Sequence, residues 1–162
     1  MNQVFVKVKK AFPIIGVVAT VLFIVLLFAF KDKLNQMALT AVKAQAGAEI
    51  TTSASVFVDS AFNYSKNGLS YEITFLEFGA TGCSTCRQME TVMEEVKKQY
   101  PEVVKVVFLN ILKPENQAMM KYFGVAAIPT QILLTKEGKE IFRHSGYIPI
   151  DQLLTEINRR RE

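Results

Sequence analysis

Between residues 71 and 159, short apolar segments alternate with segments whose apolar side chains recur every three or four residues. Tyr71–Phe78 and Val103–Leu109 have the length and near-continuous hydrophobicity of strands buried in a parallel sheet. Cys83–Tyr100 and Glu115–Phe123 have the periodicity of helices. This alternation predicts an α/β domain in which helices cover both faces of a central sheet.

The remaining segments extend the prediction in both directions. Thr130–Thr135 and Glu140–His144 are predicted strands, joined by a turn sequence that indicates a hairpin and an antiparallel sheet edge. Ile150–Arg159 is the last predicted helix. The β-branched segment Ala54–Val58 is predicted as a first strand, followed by a short helix capped by Asp59. The predicted order is β-α-β-α-β-α-β-β-α.

A charge-free run of 20 residues, 11–30, precedes the α/β region. At ~1.5 Å per residue it would extend ~30 Å, the thickness of the hydrocarbon core of a bilayer. Lysines are concentrated on its N-terminal side, so the positive-inside rule places residues 1–10 in the cytoplasm. We therefore predict a single transmembrane helix that acts as a signal-anchor.

The downstream chain would then lie outside the cytoplasm, on the periplasmic side of the inner membrane in a Gram-negative bacterium. We predict a helical stalk over residues 31–48 and the folded domain over residues 49–162. The alternative is a cleaved signal peptide, for which Ala44-Gln45-Ala46 offers a distant cleavage sequence.

The charge distribution argues against nucleic-acid binding. Residues 1–48 contain six Lys and one Asp, whereas residues 49–162 contain 13 Lys and Arg against 14 Asp and Glu. The basic character of the chain thus belongs to the N-terminal segment, and the domain lacks the net positive charge that phosphate-backbone binding requires.

The chain has two cysteines, Cys83 and Cys86, at the predicted junction of a strand, a loop and a helix. The partial positive charge at a helix N-terminus stabilises a thiolate. Cys83 would be the exposed nucleophile, and Cys86, one turn into the helix, the resolving thiol. A zinc site or a Cys-His hydrolase is the alternative, but zinc needs more ligands than these cysteines and His144 provide.

Several motifs in register resemble the thioredoxin family over about residues 54–160. They are Phe75–Arg87 around the cysteines, Leu109-Asn110-Ile111, Lys121–Val125, Ile128-Pro129-Thr130, Lys136–Lys139 and Gly146. The resemblance implies a thioredoxin fold, that is, a central mixed sheet with helices on both faces, here preceded by the N-terminal transmembrane helix. Membrane-anchored, exported thioredoxin-like proteins have the most similar layout.

The resemblance also implies roles for residues around the dithiol. Pro129 matches the cis-proline beside the dithiol, and Ile128 would offer backbone groups to an extended substrate peptide, with Thr130 and Gly82 completing the substrate-binding set. Glu77 matches a buried acid of the family. A carboxyl group in an apolar strand has a raised pKa and would accept the proton of Cys86.

The sequence departs from the family pattern close to the cysteines. Gly82 replaces the usual Trp, Ser84 and Thr85 replace the usual Gly-Pro, and Phe108 replaces a lysine often found beside the buried acid. The dipeptide between the cysteines tunes the reduction potential, so Ser84 and Thr85 are predicted redox-tuning residues.

We therefore predict a protein thiol–disulfide oxidoreductase that reduces exported proteins. The redox-active Cys83–Cys86 disulfide would be its only redox group, with no further cofactor and no metal. The predicted partners are proteins with cysteines or disulfides and a transmembrane electron donor. A disulfide oxidant or isomerase, and a non-enzymatic adaptor or metallochaperone, are the alternatives.

Overall fold

The computed structural model describes residues 2–45 and 47–160, with side chains from Gly16 onward except at scattered positions between residues 32 and 49. The chain divides into two compact units, Met1–Ala38 and Leu39–Glu162. The predicted helices and strands of the α/β region all lie in the second unit.

One long helix, α1, extends over Asn2–Gln45. Its described apolar side chains between Val17 and Phe30 are exposed. The predicted transmembrane segment, residues 11–30, lies in this helix, and the side chains of residues 11–15 are outside the described part. Among the described residues, no helix combines the length and the apolar character needed to cross a bilayer. The transmembrane part of the predicted fold is therefore not shown.

The predicted first strand, residues 54–58, is wrong: this segment belongs to helix α2, Ala48–Phe62. Ala54, Val58 and Phe62 are buried, while Val56 and Phe57 are exposed. The buried residues are spaced by four, which places them on one face of a helix. The β-branched composition favours a strand, but packing of this helical face against the core decides the structure.

The sheet has four strands in the order β2-β1-β3-β4. Strand β1 pairs in parallel with β2 and antiparallel with β3, and β3 pairs antiparallel with β4. The mixed sheet and its antiparallel edge are thus as predicted. The elements of this region are α3 Tyr64–Asn67, β1 Ile73–Gly79, α4 Ser84–Gln99, β2 Val104–Asn110, a 3₁₀ turn Pro114–Asn116, α5 Gln117–Tyr122, β3 Thr130–Thr135, β4 Glu140–Ser145 and α6 Ile150–Arg159.

Strand β1 is buried along its whole length, and its two faces contribute to two separate hydrophobic clusters. Leu76 and Phe78 pack in the cluster that contains α2 and α5 residues. Ile73 and Phe75 pack in the cluster that contains α4 and α6 residues. Because side chains alternate along a strand, Glu77 and Gly79 share the α4 and α6 face.

Candidate active site

The two cysteines lie at the start of α4, just after the carboxyl end of β1. Cys83 is the N-cap residue, and its Sγ accepts a hydrogen bond from the backbone N–H of Cys86 at 3.2 Å. Gly82 precedes it with a φ of 90°, in the left-handed region that favours glycine. Cys83 and Cys86 form a disulfide with a Cα–Cα distance of 5.2 Å.

The two sulfur atoms have different surroundings. Cys86 is 3% exposed and belongs to the buried face of α4, whereas Cys83 is partly exposed at the helix cap. No acidic residue occupies the first turn of α4, so nothing in that turn opposes the positive end of the helix dipole. A substrate disulfide can therefore approach Cys83, and a thiolate formed there is stabilised by the helix.

The loop before β3 lies at the same end of the sheet. The Ile128–Pro129 peptide bond is cis, and Pro129 is buried while Ile128 is partly exposed. Thr130 begins β3 directly opposite Phe78 of β1, so this loop lies beside the strand that leads to the cysteines. The Pro129 carbonyl is already used, since it accepts a hydrogen bond from Gly146 N–H at 2.8 Å.

Glu77 is completely buried in the middle of the sheet. Burial raises the pKa of Glu77 to about 8, and a hydrogen bond from Gln131 opposes part of this rise. The Gln131 Nε2 donates to Glu77 Oε1 at 3.3 Å. Among the described residues, the second carboxyl oxygen of Glu77 has no hydrogen-bond partner. Glu77 can therefore exchange a proton near neutral pH.

Gly79 is the next residue after Glu77 on the same face of β1, and it lies against the buried cysteine of the dithiol. A Cβ atom at Gly79 would lie 3.4 Å from Cys86 Sγ and 2.8 Å from Cε2 of Phe108. Cys86 and the Phe108 ring thus meet above this glycine. Phe108 is opposite Glu77 on β2 and is 43% exposed. Phe108 therefore neighbours Glu77 across the sheet, with an apolar ring where a polar partner would otherwise stand.

Gln131 was not predicted from the sequence, although it contacts the predicted acid directly. The available signal was an amide side chain inside an apolar strand, two residues after Pro129. His144 faces Gln131 on β4, one strand beyond β3, and its Nε2 lies 3.1 Å from the Tyr147 carbonyl oxygen. In the described part of the chain, no group of three or more His, Cys, Asp or Glu side chains is arranged to hold a metal ion.

Similar proteins share the region that carries this site. A thioredoxin family model matches residues 54–159. The chain is 36% identical to the thioredoxin of Haemophilus influenzae over 83 residues, which are 51% of this chain and 75% of that protein. It is 33% identical to the thioredoxin of Listeria monocytogenes over 87 residues, 54% of this chain and 82% of that protein. A solved thioredoxin from Halobacterium salinarum is 25% identical and superposes with a TM-score of 0.52, covering 59% of this chain and 80% of its own.

Proposed function

Because the chain belongs to the thioredoxin family, whose members are thiol–disulfide oxidoreductases, we propose that it reduces disulfides in exported proteins through Cys83 and Cys86. The observation that carries this proposal is the asymmetric pair at the start of α4, with one sulfur partly exposed and the other buried. One accessible thiol for attack and one sheltered thiol for resolution are what disulfide exchange requires.

In the reducing direction, the Cys83 thiolate attacks one sulfur of a substrate disulfide. A Cys83–substrate disulfide forms and the other substrate sulfur leaves as a thiolate. The Cys86 thiolate then attacks Cys83 Sγ, which forms the Cys83–Cys86 disulfide and releases the second substrate sulfur as a thiolate. Two electrons pass from the dithiol to the substrate.

Glu77 would accept the proton that Cys86 loses during this second attack. Glu77 is two residues before Gly79 on the same face of β1, and Cys86 packs over Gly79. The Glu77 pKa of about 8 suits proton exchange with a thiol. Ile128 and Gly82 would line the path of an extended substrate segment, because they flank the buried Pro129 and the partly exposed Cys83. The side chain of Thr130 is buried, so Thr130 would contribute only through its position next to Pro129. Ser84 and Thr85 would tune the potential of the pair.

The proposed location determines what source of electrons the reducing direction would require. A reductase outside the cytoplasm has no direct supply of NADPH and would receive electrons from a transmembrane carrier. Such a carrier would regenerate the dithiol by the reverse exchange, and attachment of the domain to the membrane would hold it close to that carrier.

The reduction potential of the Cys83–Cys86 pair tests this direction. We expect a reduction potential of about −270 mV, the value typical of thioredoxin. It is measured by equilibration of the chain with glutathione or dithiothreitol. The Cys83→Ser and Cys86→Ser variants serve as controls that cannot form the disulfide. A value near −120 mV, typical of a strong oxidant, would contradict the reductase assignment. A pair that does not cycle would contradict both directions.

Membrane attachment is the second part of the proposal. It is supported by the charge-free run of residues 11–30, the Lys residues before it, and the exposed apolar side chains between Val17 and Phe30. We expect the full chain to remain in membranes after alkaline carbonate extraction. A chain shortened to residues 47–162 should be released from the membranes by the same treatment.

The two cysteines also report on which side of the membrane the domain lies. After mild reduction of intact cells, a membrane-impermeant maleimide should label Cys83 if the domain lies outside the cytoplasm. The Cys83→Ser variant controls for labelling of other proteins. Labelling only after cell lysis, or release of the full chain by carbonate, would contradict the proposed location.

A further inference from the structure

Four side chains form a row across the α4 and α6 face of the sheet, one from each strand. Glu77 of β1 is opposite Phe108 of β2 on one side and Gln131 of β3 on the other. Gln131 is in turn opposite His144 of β4. Paired residues point to the same face of a sheet, so each of these side chains is next to the following one in the row.

The two central members of this row are both polar and both completely buried. They share one hydrogen bond, from Gln131 Nε2 to Glu77 Oε1 at 3.3 Å. Two oxygens, the second carboxyl oxygen of Glu77 (Oε2) and the single side-chain oxygen of Gln131 (Oε1), have no partner among the described residues. Burying a polar atom without a partner is costly, so this arrangement calls for a reason.

The chemistry of an amide supplies one. A carboxylate only accepts hydrogen bonds, whereas a protonated carboxyl group also donates one. The observed contact, an amide N–H donating to a carboxyl oxygen, fits ionised Glu77. A proton on Glu77 Oε2 leaves Oε1 as the carbonyl oxygen, so the same amide N–H can donate to Oε1 in the protonated form as well.

We propose that Gln131 is a positioning residue for thiol–disulfide exchange, whose side-chain amide hydrogen-bonds Glu77 in both protonation states and leaves Glu77 Oε2 free for the proton of Cys86. This inference rests on the proposed role of Glu77 as proton acceptor. A hydrogen bond available before and after the transfer keeps the carboxyl group in one place while its charge changes.

Among the described residues, Gln131 is the only side chain that hydrogen-bonds Glu77 and can therefore position its carboxyl group. Burial and the Gln131 hydrogen bond account for the pKa of Glu77, and no charged side chain contributes. Strand β2 presents the apolar ring of Phe108, and α4 presents the Cys86 sulfur, the partner in the transfer. On β4, His144 lies beyond Gln131, and its ring already pairs with the Tyr147 carbonyl.

The test removes the amide and follows the carboxyl group directly. In the oxidised full chain, where the cysteines do not titrate, the infrared carboxyl band of Glu77 is measured against pH and assigned by its loss in Glu77→Gln. In Gln131→Met, the ionised form loses its donor, so the midpoint should rise by about one pH unit or more. Gln152→Met, at an exposed position of α6, is the control and should leave the midpoint unchanged.

The same variants are then compared in the exchange reaction. The pH at which Cys86 resolves a Cys83 mixed disulfide at half its maximal rate should rise in parallel in Gln131→Met. Gln131→Leu provides a second variant without the amide if the Met variant folds poorly. A Glu77 midpoint that stays at the wild-type value in a folded Gln131 variant would overturn the proposal.

The role of Glu77 and the role of Gln131 can be contradicted separately. Unchanged resolution of the mixed disulfide in Glu77→Gln would contradict the role of Glu77 in proton transfer. The infrared midpoint would still report whether Gln131 bonds the carboxyl group in its ionised state.

Discussion

Replacing Cys83 with Ser is expected to lower the rate of disulfide reduction to below about one thousandth of the wild-type rate, as when other enzymes lose their nucleophile. The hydroxyl group of Ser is not ionised at neutral pH and does not attack a disulfide. Cys86 cannot replace it, because only 3% of Cys86 is exposed. The measurement is the turbidity that follows reduction of a disulfide-linked model protein in the presence of dithiothreitol.

Cys86→Ser is the matched variant, since it differs by the same single atom at the other cysteine. Attack by Cys83 remains possible, but the mixed disulfide is no longer resolved within the chain. We expect covalent adducts with substrate proteins to accumulate and to disappear on addition of a reductant. Adducts formed through Cys86 in Cys83→Ser, with none through Cys83 in Cys86→Ser, would reverse the assigned roles.

Glu77 is expected to make the stability of the oxidised protein fall as the pH rises. Its pKa is about 8 in the folded chain and near 4.5 when exposed. Between these values the folded state binds the additional proton, so the unfolding free energy decreases with pH and levels off above pH 8. The total loss is about 3–5 kcal/mol, a large share of the roughly 5–15 kcal/mol that stabilises a typical domain.

Urea unfolding of the oxidised chain, followed by circular dichroism between pH 5 and 9, measures this loss. Glu77→Gln keeps the size and the hydrogen-bonding ability of the side chain but cannot ionise, so its profile should be nearly flat relative to wild type. Glu90→Gln, at an exposed position of α4, is the control and should follow the wild-type profile. Parallel profiles for wild type and Glu77→Gln would show that Glu77 does not titrate in this range.

The strands and helices after residue 70 could be predicted because apolar runs of strand length alternate there with segments of helical period. The burial predicted for Val103–Leu109 is wrong, since Lys105 and Phe108 of β2 are exposed. Apolar β1 is buried on both faces, and α4 has the spacing of a helix with one buried face. Residues 54–58 could not be assigned in the same way. A short β-branched segment fits a strand or one face of a helix, and only the packing of Val58 and Phe62 against the core distinguishes them.

In the site, too, features carried by residues close in sequence could be predicted, and contacts between residues far apart in sequence could not. The cysteines are three residues apart, so their spacing and their place before a helix predicted the dithiol. The contact between Glu77 and Gln131 joins residues 54 apart in sequence. Its existence depends on the register of β1 against β3, which no local pattern specifies. The meeting of Phe108 and Cys86 above Gly79 depends likewise on the register of β1 against β2.

Strand β2 is an edge strand of the described sheet. Alternate amide groups along β2 then have no neighbouring strand to receive them, and deuterium should replace their hydrogens faster than those of β1. An open edge also offers pairing to an extended segment of another polypeptide. Lys105, exposed on β2 with its Nζ 5.4 Å from the centre of the Tyr71 ring, places a charge where such self-association would begin.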